Sequence, residues 1–72
     1  MNEPELVPGR RYVHYKGGEY QVVALARHSE TMEELVVYQA FYGPMDMWVR
    51  PRVMFEELVE FDGALVRRFR PA

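Results

Sequence analysis

A chain of 72 residues with 49% apolar side chains and 28% charged ones is long enough for one hydrophobic core and too apolar to be disordered. The absence of cysteine excludes disulfides, thiol nucleophiles, redox chemistry and cysteine-ligated zinc. A net charge of −2 provides no global attraction to nucleic acid, and the arginines of the C-terminal third (Arg50, Arg52, Arg67, Arg68, Arg70) alternate with acidic residues and cancel.

Residues 1–8 carry two prolines and two glutamates without periodicity, and are expected to form a flexible lead-in to one domain over 9–72. Arg11 to Tyr15 is rich in residues that favour strands. Lys16-Gly17-Gly18 then supplies the positive φ of a tight hairpin turn, and lacks the spacing of a phosphate-binding loop. A second strand is expected from Glu19 to Arg27 and a third from Leu35 to Tyr42. Both are β-branched and aromatic enough to predict burial on most of both faces. Between them the polar tip at His28 has Thr31 and Glu34 at capping-box spacing, compatible with one helical turn.

Gly43-Pro44 breaks the third strand, and Met47 to Arg50 reads as a short fourth strand stopped by Pro51. Pro51 also suits the start of a helical turn through Arg52 to Glu57. Leu58 to Phe61, Asp62-Gly63 and Ala64 to Arg67 form a predicted hairpin, because the type I′ turn needs positive φ at both central positions. The order predicts a mainly β fold, a small SH3-like barrel of about five strands with one short helical turn. An open antiparallel sheet with one helix packed on it is the alternative.

Four ordered segments carry a family resemblance: His14-Tyr15-Lys16-Gly17-Gly18-Glu19-Tyr20; Arg27-His28-Ser29-Glu30 with Glu33 to Tyr38; Tyr42; and Trp48-Val49-Arg50-Pro51 followed by Met54-Phe55. Over about Gly9 to Phe69 the chain resembles the bacterial domain-of-unknown-function family numbered 1653. That family has no assigned activity. The resemblance implies a small bacterial domain and leaves its chemistry to be read from the residues.

For a domain this small, the gain from burial and the cost of ordering are each roughly 110 kcal/mol and leave almost no margin. Most large side chains are therefore expected in the core or at a subunit interface. His14 and His28 with Glu19, Glu30 or Glu34 invite a two-His-one-carboxylate metal site, without the spacing of any known metal motif. His28-Ser29-Glu30 invites a hydrolase reading, but neighbours on a strand point to opposite faces and no nucleophile elbow is present. No cofactor motif is legible, and the enzymatic reading ranks last.

The most informative segment is Trp48-Val49-Arg50-Pro51. On a strand Trp48 and Arg50 share one face, and Met47 and Val49 are expected to take the core face. An aromatic plate beside a cationic fork suits carboxylate or phosphate, with Tyr38, Tyr42 and His28 as candidate lining residues. The opposing reading puts Trp48 in the core and Arg50 in a salt bridge.

The leading function is thus a non-catalytic binding module for a small anionic ligand or an extended peptide. A protein-interaction or homo-oligomeric unit is the alternative, through a sheet edge or the Met45-Asp46-Met47 loop. Single-stranded nucleic-acid binding comes third, against the acidic balance. The acidic start, with no apolar segment behind it, and the short longest aliphatic run (Val22 to Ala26) predict no membrane association and a cytoplasmic location.

Overall fold

A computed structural model describes residues 6–72. The first five residues of the expected lead-in lie outside the described residues. Within its remainder, Leu6 is already part of the buried core, so the packed domain reaches back to that residue.

Seven strands and one helical turn follow in order: β1 (Arg11–His14), β2 (Glu19–Arg27), β3 (Glu34–Ala40), β4 (Met47–Pro51), α1 (Arg52–Phe55), β5 (Leu58–Phe61), β6 (Ala64–Arg67) and β7 (Phe69–Pro71). The first four lie within two residues of their expected bounds. Antiparallel pairing joins five of the strands in the order β4-β3-β2-β1-β7, and β5 pairs only with β6. The fold is mainly β, and the sheet is not a closed barrel: β4 and β7 are its two unjoined edges. β7 has no counterpart in the sequence reading. It pairs with β1 through Tyr12 to Pro71, Val13 to Arg70 and His14 to Phe69.

The local chemistry of the turns behaves as the sequence requires. Gly17 at φ 108° closes the β1–β2 hairpin, and Asp62 and Gly63, at φ 53° and 79°, make the β5–β6 turn. At the β2–β3 tip no helical turn forms. The Thr31 hydroxyl accepts the backbone N–H of Glu33 at 3.2 Å, closing a local turn that competes with the capping box.

The core is aromatic and lies on the concave side of the sheet. Tyr12 from β1, Val22 from β2, Val36 and Tyr38 from β3, Phe55 from α1 and Phe69 from β7 are all buried together. Phe55 and Phe69 stack in parallel with ring centroids 4.1 Å apart, and Tyr12 and Tyr38 present ring edges to Phe55 at 5.5 and 5.3 Å. The helical turn thus exists to carry Phe55 across the sheet.

The expectation that β2 and β3 are buried on most of both faces is corrected. β3 alternates, with Val36, Tyr38 and Ala40 buried and the residues between them half-buried. A bulge between Val22 and Ala24 shifts the register of β2, and beyond it Leu25, Ala26 and Arg27 are exposed. The sheet therefore has one covered face and one open face, as antiparallel sheets commonly do.

Candidate functional site

The core face of β3 decides which face of β4 points inward. Tyr38 lies opposite Trp48 and Val36 opposite Arg50, so those four side chains share the concave face. The expected assignment of Met47 and Val49 to the core is corrected: they lie on the outer face and are 53% and 59% exposed. Period-two alternation told which residues pair on a face; only the partner strand told which face is covered.

Trp48 sits at the rim of the core with 51% exposure, so it is not a core residue. Arg50 is half-buried beside it. Its Nε donates to the Tyr38 hydroxyl at 3.2 Å, and its guanidinium lies 5.9 Å from the centre of the Phe69 ring. No carboxylate among the described residues forms an ion pair with it, in contrast to Arg11, Arg27 and Arg68, which each have one, and Arg52, which has two.

Tyr20, Tyr38, Tyr42, Trp48 and Arg50 line one cleft of about 200 Å³. Trp48, Arg50, Tyr38 and Tyr42, named from the sequence, are brought together here, and Tyr20 is the addition. Tyr20 was accessible to sequence reasoning through its parity with Val22, which places both on the inner face of β2 before the bulge. The Tyr20 and Tyr42 hydroxyls are hydrogen-bonded at 2.5 Å, and the two rings meet edge to face at 5.6 Å. Burial, with the Tyr42 hydrogen bond second, pushes the Tyr20 phenol up to about 12.

Gly18 makes room for this pair. A Cβ there would stand 3.0 Å from Cε1 of both Tyr20 and Tyr42, so any larger residue would have to push the two rings back by a few tenths of an ångström. Behind the two phenols a second cleft, of about 600 Å³, is lined by His14, Lys16, Glu19 and Phe41 and shares Tyr20 and Tyr42 with the first. His14 is held below the ordinary imidazole range, first by burial and then by Arg50, Arg68 and Lys16, so the neutral ring is favoured in this cationic surround.

His28 is not part of the cleft. It stands at the β2–β3 tip, eight residues along from Tyr20, a separation of roughly 26 Å on an extended strand. Its Nδ1 accepts the backbone N–H of Glu30 at 3.1 Å and of Thr31 at 3.4 Å, and so stabilises the turn. His14 and His28 flank opposite ends of β2, which leaves no common position for a metal between them. A further cleft beside Leu25 and Leu35 holds Arg27, Glu34 and Arg52, whose charges pair among themselves at 4.0 and 3.8 Å.

The family model described as "Protein of unknown function (DUF1653)" matches residues 10–71. The chain belongs to the DUF1653 family. A crystal structure of a DUF1653 protein from Bordetella bronchiseptica is similar, with a TM-score of 0.79 and 36% sequence identity over 90% of this chain and 85% of that one. No curated protein is significantly similar to the chain. The span matched to DUF1653 contains all five residues of the cleft, which is therefore built within the DUF1653 unit itself. Among the described residues no helix is long and apolar enough to cross a membrane.

Proposed function

We propose that this DUF1653 domain is a non-catalytic binding module whose cleft takes a small carboxylate or phosphate, or an acidic side chain of an extended peptide. The observation that carries the reading is the state of Arg50: half-buried, fixed by Tyr38, walled by aromatic rings, and without an ion-pairing carboxylate among the described residues. A guanidinium held in this way is oriented before any ligand arrives, and ordering cost is what weakens most small sites. Trp48 offers an aromatic wall at the mouth, and the Tyr20–Tyr42 pair offers hydroxyls at the back. The lack of cysteine suits a cytoplasmic site of action.

The test is a titration with acetate, inorganic phosphate and short acidic peptides, followed by backbone amide shifts. Shifts clustered at Trp48, Arg50, Tyr38 and Tyr42 are expected. Arg50→Ala should weaken binding by about tenfold or more, the equivalent of about 1.4 kcal/mol. It removes one half-buried hydrogen bond to the Tyr38 hydroxyl, so the thermal midpoint should fall by no more than about 8 °C. A larger fall with no anion bound by the wild type would make Arg50 a structural residue and end the proposal.

A further inference from the structure

The outer edge of β4 has a defined hydrogen-bond parity. Ala40 N–H donates to the Asp46 carbonyl at 2.9 Å, and the register places these two residues opposite one another. Alternation along an antiparallel ladder then turns the backbone groups of Trp48 and Arg50 toward β3, and those of Met47 and Val49 away from the sheet. On the β3 side the same parity holds, since Phe41 N–H donates to Glu19 on β2. Among the described residues Met47 and Val49 thus present N–H and C=O groups without a partner strand, with the Pro51 carbonyl next in line.

This edge is only partly guarded: it is short, Pro51 ends it and Arg50 points inward, but it has no lysine, no bulge and no charged residue on its outer face, where Met47 and Val49 are more than half exposed. Its sequence is also self-complementary about Val49. Two copies related by a two-fold axis through that residue pair Val49 with the partner's Val49, and each Met47 N–H with the carbonyl of the partner's Pro51. Pro51 has no N–H to return to the Met47 carbonyl, so each end of this ladder carries one hydrogen bond where a regular pair carries two. In the same register Arg50 lies opposite the partner's Trp48 at a non-hydrogen-bonded pair, the closer of the two cross-strand geometries. Guanidinium against indole is a favourable contact, and it forms twice. The hydrogen bond from each Arg50 to its own Tyr38 draws the two guanidinium groups apart, away from the axis.

We infer that this chain forms a two-fold dimer by antiparallel pairing of β4 edges about Val49, joining two five-stranded sheets into one and covering each Arg50 with the partner's Trp48. A strand of this length makes a small contact, at the low end of specific interfaces, so the dimer is a reversible one in the micromolar range. The inference does not depend on whether the cleft takes an anion.

Sedimentation from about 10 to about 500 µM decides it, because a reversible dimer grows with concentration by mass action. The wild-type mass should rise toward twice the monomer's, and the sole tryptophan, Trp48, should become shielded from a soluble quencher over the same range. Val49→Lys places a charge on each side of the axis, and Val49→Pro removes an N–H that the ladder with β3 does not use. Both variants should stay folded by circular dichroism and monomeric throughout, with Trp48 quenching independent of concentration. A wild type that remains monomeric at the highest concentration overturns the inference. So does a dimer that persists in Val49→Lys, which would place the contact elsewhere. So does protection of the Val49 amide that appears only when an extended acidic peptide is added, which would give the edge to a foreign strand.

Discussion

Tyr20 is where burial, hydrogen bonding and the candidate cleft meet. Its hydroxyl bonds to Tyr42, and its ring lies edge-on to Tyr38 and Phe69 at 5.4 and 5.5 Å. Burial first, and then the Tyr42 bond, raise its titration from 10.0 to about 12. A raised phenol value means that the folded state holds the proton more tightly than the unfolded one. The associated stability is fully present below pH 10 and is lost as pH climbs from 10 toward 12. A near-ultraviolet titration of the phenolates should therefore show Tyr20 ionising late, alongside Tyr12, whose phenol burial also raises, with thermal stability falling over that same window. Tyr42→Phe should bring the late transition down without restoring the ordinary value, because burial remains. A Tyr42→Phe protein with an unchanged late transition would show that the hydrogen bond contributes nothing. At this scale alternation in the sequence groups Trp48 with Arg50 on one face, and the structure places Tyr38 and Tyr42 beside them. Sequence reasoning misplaced His28, because adjacency in a motif string says nothing about the length of strand that separates two residues in space.

Among the elements, the β5–β6 hairpin stands apart from the sheet. It is tied to it at Arg68, whose carbonyl accepts the Tyr15 N–H at 2.9 Å, and by Phe61 meeting Tyr15 edge to face at 5.6 Å. Leu58, Phe61 and Leu65 remain exposed, so the hairpin carries little apolar burial to hold it. Its amides are expected to exchange with solvent well ahead of those of β2 and β3, whose central residues are buried. Hydrogen exchange followed by amide resonance checks this; equal protection in the two regions would mean that the hairpin opens only with the whole domain. The legibility of elements follows a physical line. The turns at Gly17 and at Asp62-Gly63 were legible because positive φ restricts the residue types that serve there. β7 was not legible, since Phe69-Arg70-Pro71 is three residues long and gains strand character only by pairing with β1. Closure of the sheet was not legible either, because strand order along the chain does not say whether the last edges meet.

For the whole molecule the question is how so few buried side chains hold the fold. The buried set is small, and many large apolar residues, Met47, Val49, Val53 and Leu65 among them, stay exposed, so the expectation that nearly all would be internal is not met. The stabilising contribution is concentrated in the rings that fill the concave side. Phe55 is the most consequential of these: it is buried, stacked on Phe69, and met edge-on by Tyr12 and Tyr38, so it joins α1 to strands β1, β3 and β7 at once. Phe55→Ala leaves a cavity among rigid aromatic neighbours that cannot collapse onto it, a change that costs about 3–5 kcal/mol. A domain of this length has a total stability of only about 4–11 kcal/mol. The variant is therefore expected to lose most of its cooperative thermal transition, whereas Val53→Ala, on the exposed side of the same helical turn, should shift the midpoint by a few degrees at most, being within about 0.5 kcal/mol. Circular dichroism on heating separates the two outcomes. If both variants melted alike, the stability of the domain would reside in the hydrogen-bonded sheet and not in the aromatic stack.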